Sequence, residues 1–132
     1  VGRYVGWSTG NKLLHSFGYP STKLNAIPSP LTTAIDTAQF MVDFYQDKLF
    51  DAATKSFVTS SLQNQKYRSG IPAGCSGCTV LNKTGNSSAV AHDVAIVKDG
   101  KHQYVVSIMS EGGSYQKIAN IERAIAAAMR AN

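Results

Sequence analysis

The chain has 132 residues, 43% of them hydrophobic, and a formal charge of +5. That length fits one domain, 1–132, with room for a real core, and no stretch approaches the roughly 20 apolar residues of a membrane span. The basic residues are scattered with no aromatic–basic stripe, which argues against nucleic acid and leaves only unspecific attraction to acidic polymers. Val1-Gly2-Arg3-Tyr4 carries neither an initiator Met nor the apolar core of a signal peptide, so a processed, cleaved or truncated product is expected.

The first predicted element is a helix over 6–17, with Leu13, Leu14 and Phe17 on one side, stopped by Gly18-Tyr19-Pro20. Residues 19–31 read as a Pro/Ser-rich loop holding Pro20, Pro28 and Pro30. Thr32 or Thr33 caps the next helix. Its apolar positions Ile35, Ala38, Met41/Val42, Tyr45 and Leu49 have helical spacing. A further helix over 52–65 is expected to turn Phe57, Val58, Ser61 and Leu62 inward. Residues 67–77 form a loop punctuated by Gly and Pro.

The chain then turns to β. An apolar run, Thr79-Val80-Leu81-Asn82, is closed by Lys83-Thr84-Gly85. Strands over 89–97 and 103–110 pair antiparallel through the turn signal Asp99-Gly100. Gly112-Gly113-Ser114 ends the sheet. The last helix carries Ile118, Ile121, Ile125 and Met129 as one stripe that needs a sheet face to cover. The class is α+β: residues 1–77 are mainly helical, and 78–132 form a three-stranded antiparallel sheet with a C-terminal helix packed on it.

Cys75 and Cys78 form a C-x-x-C in a Gly-rich loop. A zinc site would need two more ligands, and His15, His92 and His102 are isolated, so no metal and no cofactor is expected. A redox pair of the thioredoxin type would open a helix after a strand, whereas this pair precedes one. A small disulfide in an oxidising compartment is preferred over two partly buried thiols.

The tripeptide 83–85 carries the most chemistry. A Lys at a strand end places an ammonium where it attracts a carboxylate and holds down a neighbour's pKa. The Thr hydroxyl can donate to that carboxylate, and the Gly lets backbone approach a ligand. Taken alone, the same residues are a solvated strand end before a Gly turn.

The order of elements around it resembles the C-terminal half of the serine β-lactamase and penicillin-binding protein superfamily, whose site is built from S-x-x-K, S-D-N and K-T-G. Arg68-Ser69-Gly70-Ile71-Pro72-Ala73-Gly74 resembles the segment before the KTG strand in class A β-lactamases. His92-Asp93-Val94-Ala95-Ile96-Val97 resembles the next strand. Leu24-Asn25-Ala26-Ile27-Pro28 resembles the end of the omega loop with its E-x-x-L-N pattern, and Thr32-Thr33 with Ala38-Gln39-Phe40-Met41 the helix after it. The resemblance implies a partial β-lactamase-like fold, secreted or in the cell envelope. It implies Lys83 as an electrostatic catalytic element and Thr84 as a catalytic and carboxylate-binding residue for a β-lactam or a D-alanyl-D-alanine peptide. Gly85 would line the site, and the Asn86 N–H would complete an oxyanion hole. His92 falls near the place of an Arg that binds the same carboxylate in several relatives.

The departures from the family are specific. No S-x-x-K helix fits. The S-D-N place falls at Val5-Gly6-Trp7, and the Glu of E-x-x-L-N is Ser21, which cannot act as the base for deacylation. The expectation is the KTG wall of an acyl-serine site whose nucleophile lies elsewhere; the alternative is a non-catalytic binding module on the same fold. The family's N-terminal strands would pair beside 103–110, so that edge is expected to be covered by the N-terminal half or by a second copy in a swapped dimer.

Overall fold

The computed structural model describes residues 2–27 and 29–131; Val1 and Pro28, both used above, lie outside them. The order is α1 (Gly2–Val5), α2 (Trp7–Ser16), α3 (Ala34–Tyr45), α4 (Ala52–Gln63), α5 (Ile71–Gly74), β1 (Thr79–Asn86), β2 (Val90–Asp99), β3 (His102–Glu111) and α6 (Tyr115–Ala131). The strands form an antiparallel meander, β1-β2-β3. Asp99 pairs with His102, leaving Gly100-Lys101 as the two-residue turn, with Gly100 at φ 58°.

Strand alternation assigns each face its partner. Val80, Ala95, Val97 and Val106 face α5 and α6, where they pack with Ile71, Cys75, Ile118 and Ala126. Leu81, Val94, Ile96 and Val105 face α3 and α4, where they pack with Phe40, Met41, Phe44, Val58 and Leu62. The sheet is thus covered by helices on both sides. The Thr33 side chain caps α3 by accepting from the Asp36 N–H, and Asp51 caps α4 through the Thr54 N–H.

Several sequence expectations shift. Gly6, at φ 80°, separates α1 from α2, and no residue of α2 is buried. Residues 19–31 are not featureless: Lys23 and Leu31 form an antiparallel bridge. On α3 the inward residues are Asp36, Met41, Asp43 and Phe44, while Ile35 is 80% exposed. On α4, Phe57 is 74% exposed and Ser61 is also outward, leaving Val58 and Leu62 to pack. The 67–77 loop contains the helical turn α5. On α6 the buried positions are Ile118, Ala119, Glu122 and Ala126, and Ile121 is 47% exposed.

The reason for the α6 stripe is close packing. Gly74 of α5 meets α6 so tightly that a Cβ there would lie 2.5 Å from the Ala119 carbonyl oxygen and from Glu122 Cβ. The seam sets Gly74 directly against Ala119 and the stem of Glu122, so those positions turn inward and Ile121 turns out.

Candidate functional site

Strand β1 runs through the Lys83-Thr84-Gly85 tripeptide to Asn86 instead of stopping before it. Lys83 pairs with Val94, Thr84 with Asp93, Gly85 with His92 and Asn86 with Ala91. Lys83, Gly85 and His92 therefore share the α3 face, and a Cβ at Gly85 would lie 3.8 Å from His92 Cβ. Thr84 lies on the opposite face, 7% exposed, and Asn86 is exposed.

The backbone hydrogen-bond phase sets which groups the β1 edge presents. The Ser87 N–H donates to the Val90 carbonyl. Counting back in twos, Gly85 and Lys83 turn their N–H and C=O toward β2, while Asn86 and Thr84 turn theirs outward. β1 is an edge strand, so these groups face an open side. The Lys83 ammonium bends over the same edge and donates to the Thr84 carbonyl.

Behind the tripeptide is a buried polar chain. Asn82 has no exposed surface and Asp93 is 1% exposed. The Asn82 amide donates to Asp93 Oδ1 at 2.9 Å, and the Ile71 N–H donates to Oδ2 at 2.8 Å. Arg68 Nη1 donates to Asn82 Oδ1 at 3.1 Å and to the Val80 carbonyl at 3.0 Å. Burial pushes the Asp93 carboxyl above the usual carboxylate range, against the pull of the Asn82 and Ile71 donors. A Cβ at Gly70 would overlap that carboxylate, so the close approach of α5 requires Gly. This chain locks the strand on which Lys83 and Thr84 sit. Its sequence signal is two polar residues, Asn82 and Asp93, inside otherwise apolar strands.

His92 Nδ1 accepts from the Ser110 N–H at 3.2 Å, which leaves Nε2 to carry the proton of the neutral ring. His92 also lines an open groove with Ser29, Thr32, Ser87, Val90 and Met109. The segment after the 21–25 loop thus meets the far end of the sheet beside the tripeptide. The loop itself is clamped from two sides. Asn11 donates to Asn25 Oδ1 and accepts from the Leu24 N–H, both at 2.7 Å. Buried Asp36 accepts from the Ser21 N–H at 2.9 Å and the Thr22 hydroxyl at 2.7 Å. Cys75 and Cys78 form a disulfide at the opposite end of β1.

A model of the β-lactamase enzyme family matches residues 1–131. The chain belongs to that family. The β-lactamase-family fold is equally plain in solved structures. The structure of PBP-A matches with a TM-score of 0.85 at 21% identity, over 98% of this chain and 54% of that one. A mutant of PBP-A, in its acyl-enzyme complex with penicillin G, matches with a TM-score of 0.87 at 19% identity, over 100% of this chain and 55% of that one. The β-lactamase from Sphaerobacter thermophilus DSM 20745 gives 0.85 at 20% identity, over 99% and 56%. No curated protein is significantly similar to the chain. This β-lactamase-family chain spans about half the length of the solved structures it matches, and corresponds to the C-terminal half of their fold.

Proposed function

We propose that this chain supplies the KTG wall of an acyl-serine site for β-lactams or D-alanyl-D-alanine-type peptides. The observation that carries the reading is the open β1 edge, where the Lys83 ammonium and the outward backbone of Thr84 and Asn86 lie together. In this reading a serine from the complementary half of the fold attacks the lactam or peptide carbonyl, and its C–N bond breaks. Lys83 attracts the substrate carboxylate, and Thr84 and His92 bind it. The Asn86 N–H stabilises the oxyanion. In this reading the carboxylate approaches Thr84 from the β1 edge, because its side chain lies on the α5–α6 face and is 7% exposed.

The complementary half, or a second copy in a swapped arrangement, covers β3. By the same alternation, Gln103, Val105, Ser107 and Met109 turn their N–H and C=O groups away from β2. The acyl chemistry and the disulfide both suit a secreted or cell-envelope location. Among the described residues no helix is long and apolar enough to cross a membrane.

A second reading has its own observation. Ser21 stands where the family's deacylating Glu is expected, and it is anchored to Asp36 through its backbone. The site then captures penicillin without turning it over, or binds peptide without covalent capture. The test is fluorescent penicillin labelling of the full-length protein. Labelling that persists, and that falls about 100-fold or more in rate in K83A, is expected. Absence of labelling, with a D-alanyl-D-alanine peptide still bound, would leave the non-catalytic module.

A further inference from the structure

The Cys75–Cys78 disulfide lies between α5 and β1, with Cα atoms 5.6 Å apart. Two features separate it from a permanent staple. It spans only two intervening residues, so it removes little chain entropy from the unfolded state. It is also attackable: Cys75 is buried, but Cys78 is only partly so.

A cation stands over both sulfurs. Arg130, near the end of α6, places Nη2 3.7 Å from Cys75 Sγ and 3.8 Å from Cys78 Sγ. The same nitrogen donates to the Ser76 carbonyl at 3.3 Å, and Nε is bound to Asp99 Oδ2 at 2.6 Å. A disulfide is neutral and gains little from a fixed guanidinium. A thiolate is an anion and gains much more, so Arg130 favours the reduced pair. The other ionisable groups near it are Asp99 at the β2–β3 turn, Glu122 packed on Gly74, and Tyr104, whose hydroxyl donates to Glu122. The Asp99 carboxylate opposes a thiolate, but it is held on Nε while Nη2 faces both sulfurs. The two sulfurs and the Asp99 carboxylate lie within 4.8 Å of one another, which is also a metal-like spacing. Arg130 is bonded to all three, however, so a divalent ion would have to displace it.

We propose that Cys75–Cys78 is an exchangeable dithiol–disulfide site for a dithiol reductant, with Arg130 as the positioning residue that stabilises the released thiolate. A reductant thiolate attacks Cys78 Sγ. The Cys75–Cys78 bond breaks, a mixed disulfide forms on Cys78, and Cys75 leaves as a thiolate under Arg130. The reductant's second thiolate then attacks its own sulfur in that bond and releases Cys78. Two electrons pass from the dithiol to the protein, and the two protons lost by the reductant go to the released thiolates or to water.

The test is peptide-resolved alkylation of the full-length protein, equilibrated in dithiothreitol redox buffers and then titrated with pH. In the native protein the pair opens without denaturant, and one thiol reacts with a midpoint below the free value of about 8.5 that rises with salt. R130Q raises that midpoint by about one pH unit, roughly tenfold less thiolate near neutrality, and R130K restores most of it. Equal midpoints in wild type and R130Q overturn the proposal. So does a pair that opens only in denaturant, or reduced protein that takes up one zinc ion and thereby loses alkylation. If R130Q does not fold, the wild-type midpoint decides alone: a value at or above the free one overturns it.

Discussion

Glu122 is a carboxylic acid with no exposed surface, carried into the core on α6. The Tyr104 hydroxyl donates to its Oε1 at 2.8 Å, and among the described residues nothing bonds Oε2. Burial pushes its carboxyl up, and the Asp93 and Asp99 charges add to the shift. A carboxyl raised in the folded state contributes stability fully below its unfolded value, about 4.3, and loses it as pH rises through the folded value. Asp93 is raised as well and has the same sign. Unfolding free energy should therefore fall as pH rises above the ordinary carboxylate range of about 4, and E122Q should flatten part of that slope in denaturant melts. Parallel wild-type and E122Q curves would show that Glu122 is not the source. Residue chemistry was partly legible in the sequence. The tripeptide was visible because its three residues are contiguous. The Arg68–Asn82–Asp93 chain was not, because it closes across 14 and 11 positions by strand pairing.

Among the elements, the β2–β3 hairpin was readable because Asp99-Gly100 is local turn chemistry. The helix faces were not. A 3.6-residue period marks large apolar side chains, but α5 reaches α6 through glycine and alanine. Ile121 therefore points outward while Ala119 and Glu122 are buried. On α3 the inward turn of Asp36 answers to Ser21 and Thr22, not to hydrophobicity, and it rotates Ile35 into the open. The α5–α6 seam makes a sharp prediction. In G74A the new methyl meets the Ala119 carbonyl, a backbone atom that cannot step aside cheaply. A loss of about 1–3 kcal/mol is expected in a urea melt. A change within a few tenths would mean that the seam is looser than described.

The whole molecule is a three-stranded sheet with helices on both faces and an edge strand, β1 or β3, on each flank. Among the described residues no strand pairs with β3 on its outer side, along Gln103, Val105, Ser107 and Met109, and Trp7, Leu13, Phe17 and Leu31 stand about half exposed. A polypeptide limited to these 132 residues should self-associate, with sedimentation coefficients rising with concentration, and V105K should suppress this by charging the edge. A monomer at every concentration, with V105K unchanged, would show that the edge is inert. The meander also has a kinetic consequence. β1, β2 and β3 are joined by tight local turns, so their pairing closes only short loops and can form early. Any strand docking on β3 from outside residues 1–132 must close a far longer loop, or meet from a separate chain. In the proposed arrangement its arrival would be the slow step, and until then the exposed edge would be the point most open to misassembly.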